Sequence, residues 1–416
     1  MTDVEHLRPL VDELLERSSV RRQTAGAELF AALNALEPVP RAAVATVHEL
    51  IPWEHWHLML GEDPLRCVAE DARALEWRLR RDLWADAHIG DDRPLFAHVI
   101  VYAAVEQVRG WGVSPCIRSV GGATTAWRND PPLAAGIDLS RLTYPEHRHD
   151  AQATALRVER ASELVEGRVP VRVQSPHLGH HAFDVAVSLR GMDNLLIDCA
   201  ADAKAAHSLM AHVTEGLRRS HLWREEQGLL CGVPSPCGRY YALDWAFFHC
   251  ARWPTPDARL TSLAQEWAYV SGQTSAGLGP RQYAEFVQPY NERLASLYPD
   301  GTVYYHGCEC LDGKFDAIAD LTSLRRIHVS PWSSVGRARE RFGRDVVLEV
   351  HAHPTAAFFT HDRRSMREEL RRLLDEAGDA RLDLNLNDIH SINGNPARLR
   401  EWTEAAIELS EAAGPR

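Results

Sequence analysis

The sequence predicts an α/β fold, a (β/α)8 TIM barrel with a helical N-terminal extension, on three observations. Short apolar runs alternate with helix-like segments in units of roughly 25 to 35 residues, the pattern of parallel strands joined by crossover helices. No Gly-rich phosphate loop of the GxGxxG or Walker type follows an early strand, which separates a barrel from a doubly wound nucleotide-binding sheet. Chemically able residues also sit at the C-terminal ends of three predicted strands, where barrel enzymes keep their sites. Those ends read Tyr305-His306-Gly307-Cys308, Val350-His351-Ala352-His353-Pro354 and Leu386-Asn387-Asp388-Ile389-His390.

Taken in order, Val4 to Arg17, Ala25 to Leu36 and Ala74 to Trp84 carry apolar residues at three- and four-residue spacing and read as helices, with no strand before Phe96. Residues 1–95 are therefore expected to form the extension and residues 96–416 the catalytic barrel. Strand-like runs follow at His98 to Val105, Val169 to Val173 and Ala242 to Phe248, then at Thr302 to Tyr305, Arg326 to Val329, Val346 to Val350 and Leu382 to Leu386. Between and after the last four lie helix-like pieces, Lys314 to Ala319, Val335 to Phe342, Ser365 to Ala377 and Ala397 to Leu409. The arginines at 337, 339, 341 and 344 read as a solvated helix face, and Trp127, Trp267 and Trp332 as core or pocket walls.

The 416 residues are 45% hydrophobic and 25% charged, which excludes global disorder. A net charge of −12 argues against a partner such as DNA, RNA or an anionic membrane, whose binding needs clustered cations. No apolar run is long enough to span a bilayer, and Met1 is followed by a polar, acidic segment in place of a signal peptide, so a cytoplasmic protein is expected. In a reducing compartment clustered cysteines point to metal or chemistry and scattered ones to packing. Of Cys67, Cys116, Cys199, Cys231, Cys237, Cys250, Cys308 and Cys310, the last two are clustered.

The sharpest local pattern is His306-Gly307-Cys308-Glu309-Cys310. Side chains two apart on a strand point the same way, so an imidazole and a thiolate can ligate one ion, with Cys310 continuing the parity if the strand persists. The plain alternative is a buried cysteine pair beside a hydrogen-bonded histidine. His351 and His353 repeat the spacing where Pro354 ends a strand, and can bind metal, bind an acidic substrate or exchange protons. Asp388 and His390 can orient one another or complete a metal shell. His177, His180 and His181 form a further cluster, and Arg190 can clamp a carboxylate.

At these residues the chain resembles the uroporphyrinogen decarboxylase superfamily over roughly residues 75 to 410. The resemblance is carried by Leu75-Glu76 to Asp91-Asp92, by Leu189-Arg190-Gly191-Met192-Asp193-Asn194-Leu195 to Asp198, and by the GPRQYAEFVQPY segment from Gly279 to Tyr290. It continues through YYHGCECLDGKFDAIADLTSLRRIHVSPWSS and LNLNDIHSINGNPARLREW. It implies a (β/α)8 barrel and two sorts of activity: metal-free decarboxylation of porphyrinogen acetates, or corrinoid-dependent methyl transfer in which zinc, held by an HxC pair and a later cysteine, activates a thiol. His306 and Cys308 fall where the HxC pair belongs. Where the later cysteine stands in those enzymes this chain has Asp388 or His390, and Cys310 or His351 are further donors. The arginine-rich N-terminal motif of the decarboxylase proper is absent.

The expectation is a methyltransferase-like enzyme with zinc on His306, Cys308 and Cys310, a small-molecule substrate, and a corrinoid carried by a partner protein. His351, His353, Asp388, His390 and Arg190 are its candidate catalytic residues. The alternative is a cofactor-independent decarboxylase or lyase acting on a small carboxylic acid, and a catalytically silent binding barrel is a third class.

Overall fold

The computed structural model describes residues 1–114, 116–119, 127–174, 181–230, 260–299, 302–360 and 362–416. Twelve strands are described within them: β1 Ala43–Thr46, β2 Val99–Tyr102, β3 Val105–Arg109, β4 Cys116–Ser119, β5 Trp127–Asp130 and β6 Glu146–His149, then β7 Val171–Gln174, β8 Trp267–Ser271, β9 Thr302–His306, β10 Leu324–Val329, β11 Val347–His351 and β12 Leu382–Leu386. Six of them form one parallel sheet in the order β1-β12-β11-β10-β9-β8. The pair β2-β7 is parallel, whereas β3-β6 and β4-β5 are antiparallel.

Parallel strands are buried on both faces and normally read as unbroken apolar runs. Here one face is apolar and the other polar, and both are buried. Ile327, Val329, Leu348, Val350, Leu382, Leu384 and Leu386 join the core with Val335, Ala338 and Phe342 of the helix Val335–Phe342, Leu370 and Leu374 of Arg363–Ala377, and Trp402 of Ala397–Ala413. The alternate positions, Tyr304, Arg326, His328, Glu349, His351, Asp383 and Asn385, are buried as well.

The sequence reading placed no strand before Phe96, and the structure corrects this. β1 lies within residues 1–95, between the helices Arg21–Asn34 and Trp53–Leu60, and pairs with β12 through Ala43↔Asp383 to Thr46↔Leu386. Its Ala-Val-Ala-Thr run is too short and too alanine-rich to stand out, and its partner lies at the far end of the chain. The opposite edge of β1 is taken by residues 91–93. Asp92 N–H donates to the Val44 carbonyl while the Asp92 carboxylate accepts from Val44 N–H, and the Asp91 carboxylate accepts from Thr46 N–H. Arg93 donates to the Thr46 carbonyl at 2.7 Å. Gly26 permits this approach, because a Cβ there would lie 2.1 Å from the Asp92 carbonyl oxygen.

The run from His98 to Val105 divides into β2 and the start of β3, and the run from Ala242 to Phe248 lies outside the described residues. Trp267 is buried, but Trp332, expected in a wall or core, is 63% exposed. The arginine stripe makes surface ion pairs, with Arg339 on Asp379 and Arg341 on Asp316. No helix among the described residues is long and apolar enough to cross a membrane.

Candidate metal centre

Strand register builds this site. On the polar face β9 carries Tyr304 and His306, β10 Arg326 and His328, β11 Glu349 and His351, and β12 Asp383 and Asn385, each pair two residues apart. The ladders align Tyr304 with Arg326, His328 with Glu349, Glu349 with Asp383, and His351 with Asn385. Beyond β9 the chain passes Gly307 and bends at Cys308 and Glu309. His306 Nε2 then lies 3.1 Å from Cys308 Sγ. With His328 these form a group whose ligand atoms all lie within 4.8 Å of one another. The His328 ring centroid is 4.3 Å from that of His306 and 3.9 Å from that of His351.

A hydrogen-bonded layer lies beneath the imidazoles. The Tyr304 hydroxyl is 2.8 Å from His306 Nδ1 and 2.8 Å from Glu349 Oε1. His351 Nε2 reaches the same carboxylate oxygen at 2.7 Å. Fully buried Arg326 donates to Glu349 Oε2, to Asp383 and to Asn34 Oδ1, the last on the helix Arg21–Asn34. Asn385 donates to the other oxygen of Asp383. One guanidinium thus serves two buried carboxylates, an arrangement in which every charge depends on its partners.

Burial lowers the His306 pKa to about 3, so the imidazole is neutral and free to act as a ligand. Burial pushes the Cys308 thiol well above the usual thiol range, and the charges of Asp388, Glu309 and Glu349 push it further. A bound cation would reverse that balance, since coordination deprotonates a thiol outright. Gln273 donates to Cys308 Sγ at 3.4 Å. The loop carrying Cys308 is pinned by Ser330, whose hydroxyl donates to the Glu309 carbonyl, and by Ser333, which accepts from Leu311 N–H. Lys314, one of two lysines in the chain, is buried against Glu309 and Ser275.

Two of the predicted metal ligands, His306 and Cys308, come together. Cys310 is exposed and is not part of the group, because β9 ends at His306 and strand parity does not continue past it. His353 is half-buried, its ring 5.0 Å from Trp332. Asp388 is half-buried just after β12 with φ +55°, and His390 is exposed. Arg190 is bound to Asp198 at 2.6 Å and to the carbonyls of Leu133 and Ala134. His177 and His180 lie outside the described residues, and His181 packs edge-on against Tyr269.

Sequence reasoning missed His328, Tyr304, Glu349, Arg326 and Asp383. The signal was present as polar residues at every second position of runs otherwise apolar enough for core strands, which marks a buried polar face.

No protein-family model matches the chain, and no curated protein matches it. Among solved structures it is similar to a methyltransferase from Methanosarcina mazei, with a TM-score of 0.51 and 13% identity over 93% of this chain and 98% of that one. At that identity the likeness is one of fold.

Proposed function

We propose that this chain is a metal-dependent, methyltransferase-like enzyme of the uroporphyrinogen decarboxylase superfamily, built on a (β/α)8 barrel. In this reading the segment 91–93 that lines the edge of β1 leads into β2, and β2 and β7 bridge the gap toward β8, so that the parallel strands follow one another in chain order around a closed sheet. The full-length likeness to the M. mazei methyltransferase supports the fold. The observation that carries the function is the convergence of His306, Cys308 and His328.

Two imidazoles and a thiolate form a donor set that zinc accepts, and three protein ligands leave a fourth position open, as catalytic zinc sites do. Bound there, zinc would hold sulfur in its nucleophilic thiolate form at neutral pH. The residues of the chain do the rest. Cys308, His306 and His328 supply the ligand atoms, and the buried Tyr304–Glu349–Arg326 layer keeps His306 and His351 in place. His351 and His353 take the proton that a substrate thiol gives up. Asp388 lies close enough to Cys308 for its charge to act on the thiol, with His390 two residues further on; Arg190 holds Asp198 and the carbonyls of Leu133 and Ala134. The substrate is a small thiol, and the methyl group arrives on a corrinoid carried by a partner protein.

The test is methyl transfer from methylcobalamin to a panel of small thiols, followed by cobalamin absorbance, with and without zinc. Zinc-dependent consumption that disappears in Cys308→Ser supports the reading. A wild-type protein inert towards every thiol, or a Cys308→Ser variant as active as wild type, overturns it.

A further inference from the structure

We propose that Glu349 and Tyr304 are positioning residues that fix which ring nitrogen of His306 and of His351 carries the proton, presetting the lone pairs of the site. The inference rests on the metal-centre reading for its consequence but on hydrogen-bond geometry for its content. A neutral imidazole has one N–H and one lone pair, a phenol has one O–H, and an ionised carboxylate only accepts.

Tyr304 has a single proton and two neighbours at 2.8 Å, Glu349 Oε1 and His306 Nδ1. The carboxylate can only accept, so the proton points to Glu349 and the phenol oxygen accepts from His306 Nδ1–H. The His306 lone pair is then on Nε2, the atom facing Cys308 Sγ at 3.1 Å. His351 Nε2 must likewise be the donor to Glu349 Oε1 at 2.7 Å, which leaves its lone pair on Nδ1. The other oxygen of Glu349 is held by Arg326, itself anchored on Asp383 and Asn34. A single carboxylate on β11 therefore orients two imidazoles on two strands, one directly and one through a phenol. Carboxylate support of this kind typically changes metal affinity 10- to 100-fold, about the size of effect expected here.

Two measurements test it. In protein labelled with 15N-histidine, long-range proton–nitrogen correlation spectra of the metal-free and zinc-loaded forms read the tautomers directly, with His306→Gln and His351→Gln giving the assignments. The expected result is Nδ1–H for His306 and Nε2–H for His351 in both forms, and His306 protonated on Nε2 overturns the proposal. Zinc affinity by chelator competition is then compared in Tyr304→Phe and Tyr283→Phe. The second removes a buried hydroxyl that bonds Tyr305 instead. Tyr304→Phe is expected to weaken zinc about 10- to 100-fold while Tyr283→Phe does not. Equal affinity in Tyr304→Phe and wild type, or equal losses in the two variants, contradicts a positioning role. If the wild-type chain takes up no zinc, the functional reading fails, while the spectra of the metal-free protein still decide the tautomers.

Discussion

His98 is an imidazole that its surroundings keep neutral. Burial, then the charges of Arg172 and Arg78, lower its pKa to about 3 from an ordinary 6.5. The unfolded chain therefore takes up a proton near pH 6.5 that the folded chain refuses, so stability is complete above that value and is lost as pH falls toward 3. Urea titrations across that window should show the midpoint dropping with pH, with a shallower slope in His98→Asn; equal slopes would contradict the assignment. At the metal centre the residue scale also shows what a sequence can carry. The His306/Cys308 pair was legible because both candidate ligands lie on one short segment. His328 was not, since a lone histidine inside an apolar run acquires meaning only when the sheet sets it beside β9. Cys310 stands outside this group because β9 ends at His306 and the parity does not carry on to it. Zinc content should accordingly survive Cys310→Ser and fall in His328→Ala, as measured on the purified variants.

Individual elements depend on their neighbours in the same way. β10 carries Arg326, which is shared by Glu349 on β11 and Asp383 on β12. Replacing it with Met removes the one guanidinium that the two buried carboxylates share and should cost about 3–5 kcal/mol, read as a lower urea midpoint. A loss below ~1 kcal/mol would show that the layer is not the close-coupled unit described. The helix Arg21–Asn34 meets the segment at 91–93 so tightly at Gly26 that Gly26→Ala should destabilise by about 1–3 kcal/mol, despite the better helix propensity of alanine. β9 to β12 and the helices around them could be read from apolar runs and helical spacing. β1 could not, because four small residues paired with a strand more than three hundred positions away leave no local pattern. The polar face escaped notice for a related reason: alternation normally means that one side faces water, and here both sides are buried.

Across the whole molecule, segments distant in sequence are tied together. Val39, just before β1, exchanges both backbone hydrogen bonds with Arg416, the last residue, and Asn34 reaches the polar layer through Arg326. Residues 1–95 thus contribute to the same sheet and the same buried network as the strands that carry the candidate ligands. A cation bound at the centre should stabilise the entire unit, by about 2.7 kcal/mol at one hundred times its dissociation constant. Thermal unfolding with and without zinc should show one transition that moves to higher temperature with the metal. The alternation of strands and helices made an α/β fold with a parallel sheet readable from the sequence. The third candidate ligand, His328, was not readable, since its place beside His306 depends on which strands become neighbours. The most direct test is elemental mass spectrometry of protein purified without chelator or nickel, beside Cys308→Ser and His328→Ala. About one zinc per chain is expected in the wild type, lost in both variants, whereas a metal-free wild type, or zinc retained by both variants, would contradict a metal centre on His306, Cys308 and His328.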